Sequence, residues 1–210
     1  MRDRHEGTLR DVYDAKSPDE IARLFDGWAK TYDDEMAKAG YRHPSICLAL
    51  FARYVAPKSA PILDAGAGTG LVGEWLGIID YPEVEALDIS RGMLSVAGNK
   101  NIYSRLHAGA LGQPLDFDDD HFAAIISAGV FTTGHVGKDG LDELIRICRP
   151  GGFIVLTVKT TLWENGFAQK IAQLATKGAA TLVERTDPYV SMPNDTGTVP
   201  SLAIVIRIEQ

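Results

Sequence analysis

The sequence predicts an α/β fold: a mostly parallel sheet with helices on both of its faces. Three observations carry that expectation. From Pro61 onward, short apolar runs alternate with amphipathic ones. Consecutive strand–helix units of this kind lay their strands parallel and cover both faces of the sheet. The first apolar run ends in "LDAGAGTG", Leu63 to Gly70, an acid followed by glycines at alternate positions. In open α/β sheets ligands lie outside such strand ends. Finally, 210 residues suffice for one domain with a sizeable core.

The elements follow in order. The first sixty residues read as helical. "SPDEIARLFDGWAKTYDDEMAKAG" opens with Ser17 as an N-cap, Pro18 at the first helical position and Asp19 and Glu20 in the first turn. Ile21, Leu24, Phe25 and Trp28 recur at helical spacing, and Gly40 closes the stretch. "HPSICLALFARYV" restarts a helix that Pro57 stops. "PILDAG" is then a buried strand, "GLVGEWLGI" its helix, "EVEALDIS" a second strand and "RGMLSVAGNK" its helix. "SRLHAG", "HFAAIISAG" and "GFIVLTVKT" continue the strands, with helices in "DGLDELIRICRPGG" and "WENGFAQKIAQLATKG". Two last strands, "ATLVERTDPYVSM" and "SLAIVIRIEQ", suit an antiparallel pair at the sheet edge. Residues 1–60 form the helical extension and 61–210 the core of a single domain. No internal repeat is visible.

Charge and composition narrow the function. A formal net charge of -7 lacks the footprint of a protein that grips nucleic acid phosphates. No apolar run has transmembrane length, and the charged start "MRDRHEGTLRDVYD" is no signal peptide. Cys47 and Cys148 sit far apart in apolar patterns and read as buried free thiols, which fits a cytoplasmic location.

The glycine loop decides among ligands. Gly66, Gly68 and Gly70 let a ligand lie against backbone. A P-loop needs Lys and Ser/Thr after its last glycine, where this chain has Leu71 and Val72. The dinucleotide fingerprint G-x-G-x-x-G fails at its sixth position, Leu71. Asp64 repels a phosphate and suits an ammonium. Asp88, ending the second strand, suits a ribose's two hydroxyls, and Ile89 and Met93 an adenine face. S-adenosylmethionine meets all of these demands. Two alternatives stay open: a module that binds an adenosyl ligand without catalysis, and an NAD-dependent oxidoreductase.

"ILDAGAGTG", "ALDIS" with its following "ML", and "LIRICRPGGFIVLTV" resemble the successive motifs of class I S-adenosylmethionine-dependent methyltransferases. "LFDGWAKTYDDEMAKAGYRHP" and "SAGVFTTGHV" resemble the methyltransferase-like family named after the Williams–Beuren syndrome region and related bacterial enzymes. The resemblance implies a Rossmann-like, seven-stranded sheet with an antiparallel last strand, and an N-terminal helical lid. It implies that S-adenosylmethionine is converted to S-adenosylhomocysteine as a small-molecule acceptor is methylated. Asp64, Ala65, Gly66 and Gly68 would then line the methionine end, Asp88 the ribose, and Ile89, Met93, Ala110 and Leu111 the adenine, with Ser127, Tyr32 and Trp28 beside them. Where many such enzymes carry an acid for the adenine amino group, this chain has Gly109.

Candidates for chemistry lie nearby. His135 follows the fourth strand, and an unperturbed imidazole, with a pKa of about 6.5, suits proton transfer. Tyr32, four residues from Trp28, would bring an oxygen to the electron-poor methyl. Tyr41, Arg42, Phe131 and His135 would line the acceptor. "DFDDDH", Asp116 to His121, reads as a solvated turn and not as a metal site, because divalent ions need oxygens converging from separate positions. "DPY" at Asp187 to Tyr189 resembles part of a nucleic-acid aminomethylation motif but lies in the wrong place. No metal, nucleic acid or membrane partner is expected. Monomer and homodimer stay equally open.

Overall fold

A computed structural model describes residues 8–15, 17–132, 135–195 and 197–210. Helices α1 (Thr8–Asp14), α2 (Pro18–Trp28), α3 (Tyr32–Ala39) and α4 (His43–Tyr54) precede β1 (Ile62–Ala65). There follow α5 (Gly73–Ile78), β2 (Val84–Asp88), α6 (Arg91–Asn99), β3 (Arg105–Ala108) and β4 (Phe122–Phe131). The chain ends through α7 (Gly140–Ile147), β5 (Cys148–Lys159), α8 (Thr160–Leu162), α9 (Ala168–Thr176), β6 (Ala180–Arg185) and β7 (Ser201–Ile208).

The seven strands lie in the order β3-β2-β1-β4-β5-β7-β6. The first five are parallel, and β7 runs antiparallel between β5 and β6. The chain steps outward from β1 to β3 and then returns to β4, so a crevice opens where β1 and β4 separate at their carboxyl ends. Helices α4 and α5 bury Cys47, Phe51 and Leu76 on one face with Ile62, Ile126 and Val205. Helices α7 and α9 bury Leu141, Leu144 and Ile171 on the other with Ile125, Ile154 and Ile204. Both cysteines are buried and free, and burial pushes the Cys148 thiol up to about 12. No helix among the described residues is long and apolar enough to cross a membrane.

Three expectations are corrected. The stretch from Ser17 to Gly40 is two helices, broken between Trp28 and Tyr32, where the Thr31 hydroxyl folds back onto the Trp28 carbonyl. Ser17 caps the first by accepting from Glu20 N–H, and Gly40, left-handed at φ 70°, ends the second. "RPGG" does not end α7 by itself: the helix stops at Ile147, and the glycines accommodate a register shift where β5 pairs with β4. The strand read as Ala180 to Met192 stops at Arg185, two residues before the Asp-Pro step, and Tyr189 keeps one bridge to Ser201. Helix α4, within residues 1–60, packs on the sheet through Cys47, Leu50 and Phe51.

Candidate active site

The glycine loop leaves β1 in a left-handed course, with φ of 79°, 55° and 91° at Gly66, Gly68 and Gly70. Backbone bonds from Gly66 and Ala67 N–H to the Leu87 carbonyl hold it against β2. A Cβ at Gly66 would collide with Val130, whereas Gly68 faces open space within 4 Å. The loop therefore offers bare backbone to a ligand at Gly68 and a tight seat at Gly66.

Asp88 joins this loop to the next one. Its Oδ2 accepts from Gly68 N–H and its Oδ1 from Ser90 N–H, each at 2.8 Å. A carboxylate offers about four lone-pair sites, so acceptor capacity remains for a ligand. Burial raises the Asp88 carboxyl above the usual range, against the backbone N–H groups of Ser90, Gly68 and Ile89.

A cavity lies over both loops. Its floor is Gly66, Gly68, Asp88, Ile89 and Met93; Gly109, Ala110, Leu111 and Gln113 close one end. Gly129, Val130 and His135 form a wall, and Pro18, Ile21 and Phe25 of α2 cover it, with Tyr32 and Tyr41 at the side. Among the described lining residues there is no Lys or Arg, and the one carboxylate is Asp88. A smaller cavity shares Tyr32, Tyr41, Gly66, Gly68 and Ala128 with it and continues along the glycine loop to Thr69 and Val72. The Tyr41 hydroxyl bonds to Tyr32 and rests on Gly129, where a Cβ would collide with it. Burial raises the Tyr32 phenol above its ordinary value.

Residues 63–156 match the family described as "Methyltransferase domain". Methyltransferase-like protein 27 of Homo sapiens is 34% identical over 148 residues, which are 68% of this chain and 60% of that one. A demethylmenaquinone methyltransferase of Mycobacterium sp. (strain KMS) is 30% identical over 203 residues, 91% of this chain and 84% of its own. A tRNA (carboxymethyluridine(34)-5-O)-methyltransferase of Arabidopsis thaliana is 29% identical over 150 residues, 70% of this chain and 31% of its own. The crystal structure of a TehB-like SAM-dependent methyltransferase from Corynebacterium glutamicum superposes with a TM-score of 0.64, covering 89% of this chain and 99% of that one at 21% identity. The chain belongs to the class I S-adenosylmethionine-dependent methyltransferases. It spans about six-tenths of the length of the first relative named here.

The crevice fits the family's cofactor on its own terms. A lone carboxylate, bare glycine backbone and apolar walls suit hydroxyls, a purine and positive charge, while a pyrophosphate would find no cation among the described lining residues. Of the residues singled out from the sequence, Gly66, Gly68, Asp88, Ile89, Met93, Ala110, Leu111, Tyr32, Tyr41 and His135 line the cavity. The structure sets six others back, each for a packing reason. Asp64 is 1% exposed and accepts from the Tyr103 hydroxyl at 2.6 Å. Ala65 and Ser127 are fully buried, joined by the Ser127 hydroxyl on the Ala65 carbonyl. Trp28 is buried beneath Tyr32, their rings 4.9 Å apart. Phe131 packs into the core on Phe167. Arg42 is exposed, outside the wall its neighbour Tyr41 supplies. Thr133 and Gly134 of "FTTGHV" lie outside the described residues.

The sequence placed the stretch from Ser127 to His135, and so Gly129 and Val130, at the crevice, but did not single out Pro18, Ile21, Phe25, Gln113 and Val136 as lining residues. The helical spacing of Ile21 and Phe25 was visible, but that signal marks any buried face. The acidic turn at Asp116 is held by Arg146, which donates to the Leu115 and Phe117 carbonyls and to Asp119. Tyr189 of "DPY" bonds to buried His43 at 2.7 Å, away from the cavity lining.

Proposed function

We propose that this methyltransferase uses S-adenosylmethionine to methylate a small, largely apolar acceptor. The observation that carries this is the cavity itself: one carboxylate, no cation among its described lining residues, and a cover of apolar and aromatic side chains from α2. When bound, the cofactor supplies a methyl group already activated on sulfur. Asp88 accepts from the ribose hydroxyls, and Ile89, Met93 and Leu111 take the purine. Gly109 leaves the adenine amino group to backbone and to Gln113. Gly66 and Gly68 lay backbone beside the amino-acid end. What remains of the lining, Phe25, Tyr32, Tyr41, Val130 and His135, belongs to the acceptor.

The chain's own contribution is positioning and exclusion of water. Well-oriented intramolecular reactions reach effective molarities of about 10⁵–10⁸ M, enough for a reaction whose donor is already activated. Helices α1–α3 act as the lid. Asp26 of α2 accepts from Ser90 Oγ and Gly92 N–H, and Asp33 of α3 accepts from the Thr69 hydroxyl, so each ligand loop is latched by one lid carboxylate. His135, held at Nε2 by the Val12 carbonyl of α1 at 3.1 Å, takes the proton of a hydroxyl acceptor. A His135→Ala variant then loses about 10²–10⁴-fold in turnover, the usual worth of a general base, and an unchanged rate would remove it from the mechanism.

The acidic chain and the demethylmenaquinone methyltransferase relative support a small molecule over a nucleic acid. The deciding experiment titrates the full chain with S-adenosylmethionine and with NAD, then measures S-adenosylhomocysteine formed on a panel of quinols, phenols and other metabolites, with bulk tRNA as a separate arm. Binding of the sulfonium alone and turnover on a metabolite are expected. Binding without turnover on any arm returns the chain to an adenosyl-binding module; NAD binding returns it to an oxidoreductase; turnover on tRNA alone overturns the acceptor class.

A further inference from the structure

Tyr103 lies between α6 and β3, off the described cavity walls, and it touches both ends of the glycine loop at once. Its hydroxyl donates to Asp64 Oδ2 at 2.6 Å, at the end of β1. The same oxygen accepts from Gly73 N–H, the first residue of α5. Its ring lies so close to Gly70 and Gly73 that a Cβ at Gly70 would fall 3.1 Å from it and one at Gly73 would collide. Ala67, Ala86 and Leu94 pack around the ring. One phenol thus closes the loop from Asp64 to Gly73 into a ring through a single oxygen.

We propose that Tyr103 is a positioning residue for the methyl donor, clasping the two ends of the glycine loop and holding the Asp64 carboxylate beneath it for the donor's ammonium end. This rests on the donor assignment made above. The electrostatics agree with the geometry. Burial pushes the Asp64 carboxyl up to about 7, the Tyr103 bond opposes that rise, and Asp88 from β2 adds to it. Cys47, facing Asp64 from α4, has its thiol raised by burial and by Asp64. Tyr103 is therefore the group among these that favours the charged carboxylate near neutral pH. The hydroxyl itself stays protonated, since burial and the neighbouring Asp64 raise it well above its ordinary value.

The test uses two ligands that share the nucleoside and differ in the amino-acid end: S-adenosylhomocysteine and 5′-methylthioadenosine. Both are titrated calorimetrically into the full chain, wild type and Tyr103→Phe, between pH 6 and 8.5. The wild type is expected to lose S-adenosylhomocysteine affinity as the pH falls through the Asp64 transition, with methylthioadenosine unaffected. Tyr103→Phe keeps the ring and removes the clasp. It should weaken S-adenosylhomocysteine about fivefold at pH 7, where a rise of roughly one pKa unit cuts the charged fraction of the carboxylate from about a half to about a tenth, and move its pH midpoint upward. Methylthioadenosine affinity should hold. In an Asp64→Asn background the Tyr103 substitution should add no further loss. Equal loss of both ligands, or an unmoved pH profile, overturns the proposal. A wild type that binds neither ligand overturns the donor assignment, and with it this one.

Discussion

The two sides of the crevice are built differently. The floor is backbone chemistry: Gly68 and Ser90 N–H groups fix Asp88, and Leu87 fixes the loop through its carbonyl. Every participant lies within a few residues of a strand end, and each position constrains its residue type through φ or a hydrogen bond. The cover is side-chain packing: Phe25 beside Trp28, Tyr32 on Trp28, Tyr41 on His43, and His135 near Phe25. Three of these pairs are neighbours along the chain and the fourth brings His135 from beyond β4, but ring packing is tolerant and many residue types would satisfy it. The difference says which half must stay the same for any methyl acceptor and which half is free to choose one.

The sharpest way to break the comparison is at the floor. Asp88→Ala removes the carboxylate proposed for the two ribose hydroxyls. Hydrogen bonds to charged groups contribute about 1.5–3 kcal/mol each, so donor affinity should fall about 10²–10⁴-fold. Calorimetry with S-adenosylhomocysteine measures it. Affinity within a few-fold of the wild type would move the ribose elsewhere in the cavity.

Gly129→Ala attacks the cover instead. Gly129 has φ 82°, and an added Cβ collides with the Tyr41 hydroxyl. The left-handed conformation alone costs about 1–2 kcal/mol for a non-glycine residue. That corresponds to a melting temperature lower by roughly 2–8 °C in a domain of this size. Turnover should fall more than donor affinity, because Tyr41 is displaced while Asp88 is not. Equal loss of both would merge the two halves into one.

This division also explains what the sequence made legible. Glycine spacing, the acid ending β2 and the alternation of apolar runs are local signals, so the sheet, its helices and the positions of Gly66, Gly68, Asp88 and Ile89 could be read directly. Asp64 was read at the start of the loop and lies at the end of β1, and its partner lies 39 positions away in a segment with no motif. Nothing in the sequence near Tyr103 announces a clasp. Arg42 and Tyr41 illustrate the cover: adjacent residues of one motif, of which the structure turns one inward and leaves the other exposed. Ser127 and Phe131 sit on a strand whose alternation was visible, yet which side faced the crevice depended on a register shift in β4 that no local pattern encodes.

The Asp64 carboxyl supplies a pH test of the floor. Burial sets it up to about 7, above the ordinary value near 4. Between those values the folded chain holds a proton that the unfolded chain has lost. Stability from this group is full below pH ~4 and is lost as the pH rises through ~7. Asp26 and Glu143 are shifted downward, by bonds from Ser90 and Arg146. Their contribution fades only in acid, so it is flat from pH 6 to 8. Buried His43, lowered to about 3, pulls the other way just above pH 6, because the unfolded imidazole there still binds a proton that the folded one refuses. The ligand-free wild type should therefore lose more stability, or gain less, between pH 6 and pH 8 than Asp64→Asn does. Identical slopes in both proteins would place the transition on another group.

The smallest expected effect sharpens the comparison most, because it lies where floor and cover meet. Asp26 is an exposed residue of α2, yet its Oδ1 receives both Ser90 Oγ at 2.6 Å and Gly92 N–H at 2.7 Å. It adds a second acceptor at the start of α6, where Ser90 already caps Met93 N–H. Removing an N-cap side chain costs typically about 1 kcal/mol, and an exposed site is screened by solvent, so Asp26→Ala should lower stability by about that much or less. The informative readout is hydrogen exchange. If the cover is held to the floor by this carboxylate, residues 18–28 should exchange faster in the variant while β1 and β2 keep their protection. A donor ligand should then protect α2 less than in the wild type. Uniform protection across α2 and the strands in both proteins would mean that the lid folds with the sheet as one unit, and that apolar packing around Trp28 and Met93 fixes it without the latch.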